Sequence, residues 1–60
     1  MCEFVIYYRN REPKTYSVRF DPWPTRGMLH AIAEAMLRDK GGYSVSFTGP
    51  NGLQGLINND

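Results

Sequence analysis

The chain has 60 residues, 42% of them hydrophobic and 22% charged, with a formal net charge of +1. That length fits one domain, residues 1–60, near the lower limit for a self-sufficient core; such a chain buries only about 60% of the surface its unfolded form exposes. A single cysteine excludes an intrachain disulfide, and a net charge of +1 is too small for the overall basic footprint of a stand-alone nucleic-acid binder.

Small domains usually gain stability from a staple or a partner. Cys2 and His30 are the only soft metal ligands and lack zinc-type spacing, so neither a metal nor a cofactor is expected. What remains is close packing or self-association, and a homodimer is the expectation. Glu3 interrupts the first apolar run, no basic segment precedes it, and no stretch approaches the roughly 20 apolar residues of a membrane span. With one thiol and no export signal, a reducing cytoplasm is the expected location, with no membrane partner.

In chain order, Phe4 to Arg9 reads as a first strand because β-branched and aromatic residues dominate it. Pro13 cannot donate to a ladder and marks the following turn. Lys14 to Phe20 alternates, with Tyr16, Val18 and Phe20 on one face and Thr15, Ser17 and Arg19 on the other. Pro22 and Pro24 end that strand, and Thr25 is placed to cap a helix. Leu29, Ile32, Ala33, Met36 and Leu37 form the apolar stripe of this helix, and Gly41-Gly42 supply its stop. Tyr43 to Thr48 alternates again. Gly49-Pro50-Asn51-Gly52 reads as a type I turn with Pro50 at its second position and Gly52 as a bulge. Leu53 to Ile57 is a short fourth strand, and residues 57–60 grade into a polar, frayed tail.

The order ββαββ defines an α+β protein. If the third strand pairs with the first, the sheet is antiparallel throughout, in the order 2-1-3-4, with the helix on one face after a right-handed crossover. The continuous apolar run Phe4-Val5-Ile6-Tyr7-Tyr8 suits the interior strand this order requires. Phe4, Ile6 and Tyr8 then face the helix with Tyr16, Val18, Phe20, Tyr43, Val45 and Phe47, and Cys2 lies at the margin. The opposite face carries Val5, Tyr7, Arg9, Ser17, Arg19, Ser44, Ser46, Thr48, Gln54 and Leu56.

An uncovered sheet face can be plain solvated surface, a protein interface, or a platform on which bases stack. Parity leaves Tyr7 as its one secure outward aromatic, which favours the first two. The candidate protein interface is Val5, Tyr7, Arg9, Arg19 and Leu56. Trp23, held between two prolines, serves either as a lid over the core or as a side anchor for a partner. The alternative reading is a single-stranded nucleic-acid binder using Arg9, Arg11, Lys14 and Arg19 along the first hairpin.

Enzyme chemistry has little support. His30 has no serine or aspartate at a recognisable spacing, and the carboxylates are scattered over different elements. The glycines at 49 and 52 lack the tail of a phosphate-binding loop and join two strands. The expected function is that of a small non-enzymatic protein-binding regulator. Its size fits an inhibitor or regulator of a larger machine, of the kind a phage or other mobile element carries.

Overall fold

The computed structural model describes residues 1–21 and 24–59. Their elements are β1 (Cys2–Tyr7), β2 (Lys14–Val18), α1 (Arg26–Lys40), β3 (Ser44–Thr48), a 3-10 turn (Pro50–Gly52) and β4 (Gln54–Asn58). The sheet order is β2-β1-β3-β4, and each neighbouring pair is antiparallel. This is the expected ββαββ architecture with one helix on the sheet.

Register follows from parity. Phe4 lies opposite Tyr16 on β2 and Phe47 on β3, and Ile6 lies opposite Val45. A one-residue slip would turn this whole set to solvent, so the apolar pattern fixes the pairing. Phe4, Ile6, Val45 and Phe47 meet Leu29, Ala33 and Leu37 of α1 in a fully buried core, and Cys2 belongs to it at 1% exposure, deeper than its expected margin.

The helix starts where Thr25 Oγ1 accepts a hydrogen bond from the Met28 N–H at 3.1 Å. It ends at Gly41, whose φ of 71° is left-handed, with the Gly41 and Gly42 N–H groups both donating to the Leu37 carbonyl. α1 lies over β3, β4 and β1. The inner side of β2 therefore has less cover, and Tyr16 and Val18, like Phe20 just beyond the strand, are only half-buried.

Three details differ from the sequence reading. β1 runs from Cys2 to Tyr7, so Arg9 falls outside it. The β3–β4 connection has positive φ at Asn51 (58°) and Gly52 (78°), and the Leu53 N–H donates to the Pro50 carbonyl. Positive φ at both central residues is the type I′ arrangement, whose twist matches that of the strands it joins. Asn51-Gly52, not Pro50-Asn51, is thus the centre of the turn. Finally, Ile57 and Asn58 belong to β4, and the Asn59 N–H donates to the Tyr43 carbonyl at 2.8 Å, which holds the chain in register through residue 59.

Candidate functional site

Two surfaces are built by this fold. The first is the sheet face away from α1. The registers place Ser17, Glu3, Thr48 and Gln54 in one row across it, and Thr15, Val5, Ser46 and Leu56 in the next. Tyr7, Ser44 and Asn58 form a third. Among these strand residues only Glu3 is charged. Val5 and Tyr7 are half-buried by their neighbours, whereas Leu56 is 61% exposed. Ser44, small and flanked by Tyr7 and Asn58, is buried.

β4 is one edge of this sheet. Leu53 and Asn59 direct their backbone bonds to β3, as the Leu53 carbonyl to Gly49 N–H and Asn59 N–H to Tyr43 carbonyl contacts show. By alternation the N–H and C=O groups of Gln54, Leu56 and Asn58 point outward. Arg26 Nη1 donates to the Gln54 carbonyl at 2.6 Å and occupies one end of the edge. The other edge, β2, opens with Lys14 behind Pro13, and Arg19 follows it. Charge and proline of that kind deter edge pairing, and β4 carries neither.

The second surface is the end of the sheet where β1 and α1 finish and β2 and β3 begin. After Tyr7 the chain bends away from the ladder, and Arg9 brings its guanidinium to 5.2 Å from the centroid of the Tyr43 ring. Arg11 lies over Tyr8 at 4.1 Å, and Lys40 Nζ over Tyr16 at 5.3 Å. Arg9, Arg11, Tyr8 and Tyr43 line one open groove of about 580 Å3, completed by Asn10, Gly41, Gly42 and Asn59. Tyr43, expected in the core, is 39% exposed on this groove because the helix ends before reaching it.

The sequence-derived sites are redistributed accordingly. Val5, Tyr7 and Leu56 do share the free face. Arg9 leaves that face for Tyr43, and it joins Arg11. Lys14 opens β2 at the same end of the sheet, while Arg19 follows the opposite end of that strand. Trp23 lies outside the described residues. The pairing of Arg9 with Tyr43 across 34 positions left only a faint trace in the sequence, the coincidence of Tyr and Arg near a turn with a Gly-Gly-Tyr segment.

The reactive side chains do not converge. Cys2 is enclosed in the core, and His30 is exposed on α1, where Nδ1 lies 3.2 Å from Glu34 Oε1. Among the described residues no three His, Cys, Asp or Glu side chains are grouped to hold a metal ion. No helix among them is long and apolar enough to cross a membrane. No family model matches the chain, and neither a curated protein nor a solved structure is significantly similar to it.

Proposed function

We propose that this protein is a non-enzymatic binding module that self-associates through β4 and presents its charge-poor sheet face to a protein partner. The observation that carries the reading is an edge strand that holds neither charge nor proline, covered by Arg26 only at Gln54, with a 61%-exposed leucine at its centre. A two-fold axis at Leu56 sets the outward N–H and C=O of this residue against those of its own copy. Antiparallel pairing then places the two Leu56 side chains side by side. Neutrality supports the same arrangement, because an isologous contact tends to bring charges near their own copies and β4 has none to repel.

Such pairing joins two four-stranded sheets into one and roughly doubles the neutral face around Val5 and Tyr7. Depletion of charge and presence of tyrosine are features of interface cores. The contact along one short edge is below the usual ~800 Å2 per partner, so the dimer should dissociate in roughly the micromolar range.

Light scattering across a concentration series tests this directly. The mass should rise from monomer to dimer, and Leu56→Lys, an exposed change that places a charge on the edge, should leave it monomeric. Thr15→Lys on β2 should not. A protein that stays monomeric at high concentration, or a dimer that Leu56→Lys leaves intact, would exclude pairing through β4.

A further inference from the structure

We infer that the groove at the tyrosine-rich end of the sheet binds single-stranded nucleic acid, with bases stacked on arginine planes that tyrosines support from beneath. This site uses no residue of β4 and none of the free face, although Asn59, which follows β4, borders it.

The first argument is the placement of aromatics. The three phenylalanines lie at Phe4, Phe20 and Phe47, two of them in the buried core, whereas Tyr8 and Tyr43 each meet an arginine at this groove and Tyr16, further along β2, meets Lys40. The second is the placement of charge. Arg9, Arg11 and Lys14 surround the β1–β2 turn, and Lys40, whose Nζ lies over Tyr16 of β2, ends α1 on that side. Four of the chain's seven basic residues therefore gather there, although the net charge is only +1. Glu12 and Asp39 are the acidic residues among them, and Asp39 lies 3.7 Å from Lys40.

The third argument is geometric. A guanidinium resting on a tyrosine has one face occupied and the other open. Arg9 and Arg11 are both exposed and border the same groove, so two such platforms stand in one open space. The volume, about 580 Å3, is that of a small-ligand site. Unstacked bases lie on arginine planes and aromatic rings, and a duplex hides those faces. The same guanidinium edges, with Lys14 and Lys40, offer donors to the phosphates between bases. A phosphorylated peptide would use the charges but leave the stacking platforms without a role.

The test is fluorescence anisotropy of the full chain with labelled oligothymidylate and oligouridylate at about 50 mM salt. Inorganic polyphosphate, a duplex of the same length and a phosphoserine peptide serve as competitors. Both single strands should bind, and affinity should fall with salt on a log–log slope of about −0.7 per phosphate contacted. A preference between them would report a contact to the 2′-hydroxyl or the thymine methyl within the same site. Arg9→Lys and Arg11→Lys keep charge but remove the planar surface, and each should weaken binding about tenfold. Arg19→Lys, beyond the far end of β2, should bind as the native chain does. The inference is overturned if no binding occurs at low salt. It is equally overturned if polyphosphate, duplex or phosphopeptide competes as well as the single strand, or if the lysine variants at 9 and 11 bind normally. Light scattering on the same variants separates this outcome from failure of the β4 pairing, because Arg9 and Arg11 belong to the β1–β2 turn and supply none of the backbone groups of β4.

Discussion

At the scale of single residues, Gly55 and Phe47 fit closely enough to fix each other's identity. The two are directly opposed on β4 and β3, and a Cβ added at Gly55 would stand 2.2 Å from Phe47 Cζ. The phenyl ring thus occupies the space that a side chain at position 55 would need. Glycine weakens a strand through its entropy, and here the aromatic cover compensates. Gly55→Ala should therefore destabilise by about 1–3 kcal/mol although alanine restricts the unfolded chain more. A urea-denaturation cycle combining it with Phe47→Leu should show clear coupling. Additive effects would mean that the ring does not lie over the glycine. Gly42 is held by a similar approach, its missing Cβ facing Ile6 Cγ2 at 2.4 Å, which lets the chain leave the helix and enter β3 beside β1.

At the scale of elements, α1 is specified mainly at its ends. Its first turn holds no acidic residue, so the Thr25 hydroxyl is the local group that satisfies a free N–H there, while Arg38 and Lys40 complement the C-terminal dipole. Thr25→Ala should cost about 1 kcal/mol. Gly41→Ala, forced to φ of 71°, should cost a similar amount, roughly 1 kcal/mol. Thermal unfolding of both variants checks this, and an unchanged midpoint in either would show that its cap is dispensable. The hairpins teach a different lesson. Pro50 and Asn51-Gly52 are adjacent turn signals that favour different registers. Proline would suit the second position of a type I turn, but strand twist selects the pair that accepts positive φ.

At the scale of the whole molecule, one 15-residue helix covers a four-stranded sheet incompletely. Its position over β3, β4 and β1 leaves the inner side of β2 less covered, and Lys40 reaches across to set its Nζ over Tyr16 there. The thiol of Cys2 gives a probe of how the assembly opens. It is 1% exposed at the start of central strand β1, so alkylation of the native protein should be slow and should accelerate with denaturant in parallel with global unfolding. Rapid labelling in buffer would mean that the first residues of β1 detach while the rest stays folded.

The elements and the sheet order were legible in the sequence, and so was most of the core, with Cys2 deeper and Tyr43 more exposed than parity suggests. Alternation in Phe4-Val5-Ile6 and Val45-Ser46-Phe47, the stripe Leu29-Ala33-Leu37, Thr25 and Gly41 are local signals, and the continuous apolar run of β1 favours its interior place in the sheet. The free face was legible in part: parity assigns Val5, Tyr7 and Leu56 to it, but Glu3 and Thr15 also stand there and Arg9 and Arg19 fall outside the strands. What happens where the strands end was not legible in the sequence. Alternation carries no information past Tyr7, and there the chain turns Arg9 off the face on which parity would put it and onto Tyr43. The juxtaposition of a hairpin turn with a helix C-terminus depends on how far each element extends and on where the helix lies over the sheet. Those are properties of packing between distant segments, which is why the basic, tyrosine-lined groove emerges from the fold and not from any one stretch of the chain.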